Sequence, residues 1–371
     1  MKREECSLKT CKRNKKIMFG TAIILLLTVL ILTSARPETP PFTDEDGKVL
    51  EGSIALMEQI DLNGTRQWVY FRGRDTTKPL LLFLHGGPGT AATGLIRKFI
   101  PELENRFIVV HWDQRGAGKS FSEGGKRADF TVEQMIADVG TLTEIVLDRF
   151  GQDKLYLMGV SWGSYLGIEA VCRWPEYYTA YIGSGQVVFQ DLGEKLSYRY
   201  ALKQSMAHHD SAAIKSLEKI GPPPYQAKKH VRSIMKQRHV LARYGGSFHN
   251  RTVQREFSRL ATLWQVEEYN LLDKFNWIRG QLRSERILGP VFRQIDFRVT
   301  APRIDLPVYF AQGKYDMQTP TSLVQEYFDL LQAPLKSLRI FRGSAHLPLA
   351  EEKEEFLAFL DEVIGVRNQR L

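Results

Sequence analysis

Two kinds of apolar pattern share this chain, and their order predicts its elements. Continuous apolar runs at Leu80–Leu84, 107–111, Leu155–Met158, 181–185 and 306–312, with a further run opening RIFRGSAHLP (339–348), read as buried strands. The segments IALMEQI (54–60) and QWVYF (67–71) flank Asn63-Gly64, a dipeptide suited to the tight turn of a β-hairpin. After Met158, the small residues Gly163, Gly167 and Ala170 recur at helical spacing until Pro175 stops them. From 185 to 306, strand-like runs are few. LGEKLSYRYALKQSMAHH (192–209) and VQREFSRLATLWQVEEYNLL (253–272) read as amphipathic helices, with the breaker GPPPY (221–225) between them. The expected organisation is an α/β core in two halves, 49–188 and 304–371, interrupted by a helical cap at 189–303.

A different pattern precedes the core. Ile17 to Ala35 holds no charged residue across 19 positions, and its centre, AIILLLTVLIL, is almost wholly aliphatic. At about 1.5 Å per residue such a helix spans roughly the hydrocarbon thickness of a bilayer. Lys12, Arg13, Lys15 and Lys16 stand directly before it. The expectation is a transmembrane signal-anchor at 17–35, a basic cytoplasmic N-terminus at 1–16, a Pro-rich linker at 36–48, and a catalytic domain outside the cytoplasm. Thr33-Ser34-Ala35 leaves cleavage of a signal peptide, and hence secretion, as the alternative. Of three cysteines, Cys6 and Cys11 precede the apolar segment. Cys172 is expected to be a buried, inert thiol, so no disulfide framework is foreseen.

Charge changes the picture of the cap. The chain is +9 overall, yet residues 190–300 hold 20 Lys/Arg against 10 Asp/Glu. A basic cap suits anionic substrates or an anionic membrane surface. No recognition-helix motif or sheet-aromatic signature accompanies the charge, which argues against nucleic acid as a partner. No Gly-x-x-x-x-Gly-Lys loop and no Cys/His cluster occurs, so neither a cofactor nor a metal is expected.

The chemistry lies where strands end. Gly159-Val160-Ser161-Trp162-Gly163 spells G-x-S-x-G between a strand and a helix, the arrangement that exposes a nucleophilic Ser on a sharp turn. Asp316 follows the strand at 306–312 and His346 follows the one after it. The order Ser161, Asp316, His346 is that of an α/β-hydrolase triad: Ser attacks a carbonyl, His moves the proton, Asp orients the imidazole. Backbone N–H groups of Gly87 and Trp162 are the expected oxyanion donors. His85 is expected to fix its own loop, and the Asp113–Arg115 turn to tie loops together.

HGGPG (85–89), DQRGAGKS (113–120), GVSWGS (159–164), GKYD (313–316) and GSAH (343–346) together resemble the proline iminopeptidase family, serine peptidases that remove N-terminal residues. The resemblance runs from about Leu50 to the C-terminus. It implies an α/β-hydrolase core, a mostly parallel eight-stranded sheet with helices on both faces, and the triad and oxyanion hole just named. It also implies that cap carboxylates hold the substrate's free amino group, one of them in a W-x-x-W-E helix motif. The matching stretch is Trp264-Gln265-Val266-Glu267-Glu268. Trp264, Glu267 and Glu268 are therefore the expected substrate-binding residues, with Glu267 standing where the family has its second Trp. No counterpart of the family's second amine-binding Glu is evident. Three functions remain open at this stage: release of N-terminal Pro or a small apolar residue from peptides, hydrolysis of small acyl esters or amides, and non-catalytic binding on a hydrolase fold.

Overall fold

The computed structural model describes residues 18, 20, 21, 23–29, 37–122, 130–226, 228–258 and 265–368. Eight strands form one sheet: β1 (Ile54–Leu62), β2 (Thr65–Gly73), β3 (Leu80–Leu84), β4 (Ile108–Trp112), β5 (Leu155–Val160), β6 (Tyr178–Ser184), β7 (Val308–Gly313) and β8 (Lys336–Phe341). Their order is β1-β2-β4-β3-β5-β6-β7-β8. The β1–β2 and β2–β4 pairings are antiparallel and the other five are parallel. Asn63 and Gly64 both take positive φ between β1 and β2, as the hairpin reading requires.

The continuous apolar runs become the central parallel strands because helices cover both faces. Leu80, Leu82 and Leu84 point to one apolar cluster, Leu81 and Phe83 to the other. The first face is covered by α2 (Val132–Phe150), α3 (Trp162–Arg173) and α9 (Thr321–Leu330); the second by α1 (Thr93–Phe99) and α10 (Lys353–Asn368). Every strand from β3 to β8 therefore delivers its C-terminal end to one edge, where open α/β sheets place their sites.

Between β6 and β7, among the described residues, lie five longer helices: α4 (Gln190–Ala207), α5 (Ser211–Ile220), α6 (His230–Arg243), α7 (Arg251–Ser258) and α8 (Leu271–Ile287). The inserted chain leaves and re-enters the core at a narrow neck, where Phe189 bridges Asp296 and the Phe297 N–H donates to Val188 at 3.0 Å. Tyr198, Ala201, Ala213, Leu217, Val240 and Leu241 give the insertion a small apolar core of its own.

Three expectations need correction or restriction. The helix foreseen over 253–272 is not continuous: α7 is described over Arg251–Ser258, residues 265–270 form a turn, and α8 starts afresh at Leu271. Asn270 causes the restart. Its side chain accepts from the Asp273 N–H while Asp273 accepts from the Asn270 N–H, a reciprocal cap that begins α8 at Leu271. Cys172 is exposed on α3 rather than buried, although partial desolvation, with Glu169 and Asp305 nearby, still raises its thiol pKa to about 11. At the N-terminus, residues 23–29 are helical and Ile24, Leu25 and Leu26 are exposed, while most of 1–36 lies outside the described residues. Among the described residues no helix is long and apolar enough to cross a membrane.

Candidate active site

The corner between β5 and α3 carries Ser161 at φ 54° and ψ −120°, a conformation rare for a non-glycine residue. The flanking glycines show why the corner can be so tight. A Cβ on Gly159 would lie 2.4 Å from the Gly163 carbonyl oxygen, and one on Gly163 would lie 2.0 Å from that of Leu84. The strain is held by specific bonds. Ser161 N–H donates to Ser184 O at 3.0 Å, and Ser164 Oγ donates to Ser161 O at 2.6 Å while accepting from Val187 N–H at 2.9 Å.

Asp316 sits just past β7 and is completely enclosed by donors. Oδ1 accepts from the N–H groups of Gln318 (2.8 Å) and Thr319 (3.0 Å). Oδ2 accepts from Gln312 Nε2 (2.9 Å), Thr319 Oγ1 (2.7 Å) and His346 Nδ1 (2.9 Å). A proton on His346 Nδ1 leaves Nε2 free to accept one, which is the tautomer a general base needs. Ser161 and His346 line the same cavity, of about 240 Å³. The three predicted triad residues therefore converge from the ends of β5, β7 and β8.

Sequence reasoning missed what pins the His346 loop. Glu351 accepts from Ala345 N–H (2.9 Å) on the core side and from His249 N–H (2.6 Å) and Asn250 N–H (2.8 Å) on the cap side. Glu352 accepts from Gly343 N–H at 2.8 Å. Two adjacent Glu close behind the His346 loop are the available signal, since carboxylates can satisfy loop N–H groups that have no backbone partner.

The expected oxyanion donors also face the nucleophile. Gly87 and Trp162 line a second cavity, of about 500 Å³, together with Ser161. Trp162 is the first residue of α3, so its N–H has no acceptor within the helix. Gly87 takes φ +123°, which an L side chain rarely adopts. Gln114 ties the two loops together: its side chain donates to His85 O at 3.1 Å and accepts from Trp162 Nε1 at 3.0 Å. Its N–H donates to His85 Nε2 at 3.3 Å, while His85 Nδ1 donates to Gly86 O at 2.8 Å. Burial holds the His85 pKa down at about 4, so the ring is neutral and structural, as expected. Arg115 is a buried tie as well, donating to both oxygens of Asp138 at 2.8 and 3.0 Å.

The two cavities differ in chemistry. The smaller is walled by Leu95, Ile96, Phe99, Phe257, Leu347 and Leu349, with no carboxylate among its lining residues. The larger lies beneath the cap and holds Glu194, Glu285, Arg238 and Arg293 beside apolar Ile234, Leu282 and Phe292. Glu194 is buried and fully engaged, with Gln190 Nε2 at 2.7 Å, Gln237 Nε2 at 2.9 Å and Arg238 as donors. Glu285 is partly exposed, 2.6 Å from His230 Nε2 and 3.8 Å from Arg293.

The expected amine-binding residues are not in this space. Glu268 is completely buried, ion-paired with Arg97 and hydrogen-bonded by Thr39 Oγ1 at 2.9 Å, and it lines neither cavity. It fastens the segment before β1 and the cap turn to α1. Glu267 is exposed, and Trp264 lies outside the described residues. The reason is the break at 265–270: Val266 and Tyr269 turn inward onto Tyr70, Ala91 and Ala117, and this turns Glu268 under the loop rather than along a helix face. Among the described residues, no group of His, Cys, Asp and Glu side chains is arranged to hold a metal ion.

Comparison with known proteins agrees with this geometry. Residues 79–207 match the family model described as the alpha/beta hydrolase fold. The chain is 34% identical over 307 residues to a protein of Bacillus subtilis (strain 168) named probable aminopeptidase YbaC, covering 82% of this chain and 94% of that one. It is 24% identical over 294 residues to a proline iminopeptidase of Heyndrickxia coagulans, covering 77% and 90%. A solved proline iminopeptidase of Mycobacterium smegmatis superposes with a TM-score of 0.58 at 16% identity, over 85% of this chain and 99% of that one. With the nucleophile elbow, the acid and base loops and the inserted cap in these places, the chain is an α/β hydrolase that belongs to the proline iminopeptidase family.

Proposed function

We propose that the protein is a serine aminopeptidase that releases an N-terminal Pro or small apolar residue from peptides through an acyl-enzyme on Ser161. The observation that carries this reading is the placement of Glu194 and Glu285 in the same cavity as Ser161, Gly87 and Trp162. An aminopeptidase must offer negative charge to the substrate's ammonium near the scissile carbonyl, and a simple esterase has no such need. Glu285 is the better candidate for direct contact, because it is partly exposed and less completely paired than Glu194. It takes the role that the family resemblance implied for Glu268.

In the proposed cycle, His346 Nε2 takes the Ser161 proton as Oγ attacks the carbonyl. The N–H groups of Gly87 and Trp162 receive the developing oxyanion. His346 then protonates the leaving amine, and Asp316 stabilises the imidazolium between the two steps. Water repeats the sequence to release the residue. We further propose that the apolar segment 17–35 anchors the domain outside the cytoplasm. Its 19 uncharged positions and the cations before them support that reading.

The test pairs Pro-, Ala- and Leu-anilides, each with free and with acetylated amino termini, against short p-nitrophenyl esters, with Ser161→Ala as control. Turnover confined to free-amine anilides is the expected result. Fast ester cleavage without anilide turnover would move the protein to the esterase reading. Partition of the full chain into the membrane fraction, resistant to high salt and carbonate, checks the anchor.

A further inference from the structure

We infer that a basic groove on the outer face of the cap receives the C-terminal carboxylate of short peptide substrates, which makes unblocked short peptides the preferred substrate class. The inference rests on the aminopeptidase reading and narrows it. The groove has a volume of about 750 Å³ and is lined by Lys228, Arg232, Lys236 and His239 along α6 and just before it, and by Arg286 of α8. Ser216, Val231 and Met235 complete its wall, and no carboxylate lines it. Among the described residues, none of the four Lys and Arg side chains forms an ion pair.

The pattern is built into the helix. Positions 232, 236 and 239 are spaced by four and three, so they share one face of α6, and Lys228 lies in the turn just before the helix. Like charges at that spacing oppose one another and weakly destabilise the helix, so the stripe does nothing for the cap's own stability. The cations inside the active-site cavity behave differently. There Arg238 is paired with Glu194, and Arg293 stands beside Glu285.

Position links the groove to the chemistry. Val231, Met235 and His239 line both the groove and the 500 Å³ cavity that contains Ser161. The groove thus adjoins the cavity that contains Ser161. From inside to outside the charged lining runs from a region where Glu194 and Glu285 stand against Arg238 and Arg293 to a region with no carboxylate. A short peptide carries its ammonium at one end and its carboxylate at the other, a few residues apart at roughly 3.5 Å per residue. With the ammonium near Glu285 and the scissile carbonyl at Ser161, the carboxylate of a short peptide falls toward the cations. Such a field also raises the rate of encounter with anionic groups, in a salt-dependent way.

The experiment compares Pro- and Ala-initiated di-, tri- and tetrapeptides as free acids and as C-terminal amides. Wild type is set against the triple variant Lys228→Gln, Arg232→Gln, Lys236→Gln, with the matching anilide as reference. Wild type is expected to favour the free acid by about tenfold in kcat/KM at low salt, with the preference shrinking as salt rises. The triple variant is expected to lose about tenfold on the acid and less than about twofold on the amide and anilide. Equal turnover of acid and amide by wild type overturns the inference, as does an equal loss on all three substrates in the variant. Unchanged peptide kinetics with lost binding to anionic phosphatidylglycerol vesicles also overturns it and makes the stripe a membrane-resting face. The anilide has no carboxylate, so its turnover reports the aminopeptidase reading alone. Absence of turnover on the anilide and all peptides sinks that reading and the inference with it.

Discussion

The sheet edge and the cap both line the active site, but they are built in opposite ways. At the edge, Ser161, Asp316 and His346 each sit within a few residues of a strand end, and for Asp316 the hydrogen bonds that fix it come mostly from its own loop. Asp316 receives four of its five donors from residues 312–319. In the cap, the carboxylates proposed to hold the ammonium have partners far apart in sequence: Glu285 meets His230 and Glu194 meets Arg238. The contrast teaches that a catalytic centre placed by strand ends tolerates divergence around it. A specificity site assembled between helices is re-dealt whenever a helix boundary moves.

The largest expected effect breaks the edge alone. Ser161→Ala and Asp316→Asn should each lower kcat by about 10⁴-fold. Circular dichroism should stay close to wild type for both, whereas Asp316→Asn alone should also lower the melting temperature, because its amide NH2 would face donors that a carboxylate oxygen now accepts from. A comparable loss from any single cap carboxylate would erase the distinction.

Glycine substitutions give the next largest separation, this time in stability. Gly163→Ala pushes a methyl to 2.0 Å from the Leu84 carbonyl, which is backbone and has nowhere to go. It should cost about 3 kcal/mol or prevent folding. Gly193→Ala in α4 meets nothing closer than Pro320 Cδ at 3.3 Å and gains helix propensity, so denaturant titration should show a change below about 1 kcal/mol.

Within the cap, Glu285→Gln should raise KM about tenfold or more for free-amine anilides and leave esters nearly unchanged, the cost of removing one charge-assisted bond. Glu268→Gln should leave the amine-to-ester ratio at the wild-type value while lowering the melting temperature, because Glu268 ties Arg97 and Thr39 rather than substrate. A selective amine effect at Glu268 would return the site to the place its sequence suggested.

The smallest effect separates the two regions by pH. His85, in the edge loop, has its pKa lowered by burial to about 4. Between about 6.5 and 4 the unfolded chain binds more protons there than the native one, so stability drops as pH falls. Asp113 joins the core to the cap turn: Tyr70 donates to it at 3.0 Å and Tyr269 at 2.8 Å. Burial raises its carboxyl to about 7, so the native state binds the extra proton and stability drops as pH rises from about 4 to 7. The two slopes oppose each other. Melting temperature against pH should climb more steeply in Asp113→Asn and fall in His85→Gln, by about 1 kcal/mol per pH unit in stability.

What the sequence determined is what local rules can specify. Apolar runs announced the strands, Asn63-Gly64 the hairpin, and G-x-S-x-G the elbow. The order Ser161, Asp316, His346 was legible because each residue had only to follow its own strand for the parallel sheet to bring all three together. The cap turn at 265–270 was decided by tertiary structure. The apolar period through 253–272 favours one helix, but the Asn270–Asp273 cap and the burial of Val266 and Tyr269 against Tyr70 and Ala117 outweigh it. That break takes Glu268 to Arg97 and leaves Glu194 and Glu285 as the carboxylates under the cap. Cys172 follows the same logic, since the small-residue stripe of α3 names the buried face but not which remaining positions face solvent. Short-range geometry is written in the order of residues. Which distant charges meet is settled only when the helices pack, because Coulomb and hydrogen-bond energies depend on separations that sequence spacing does not fix.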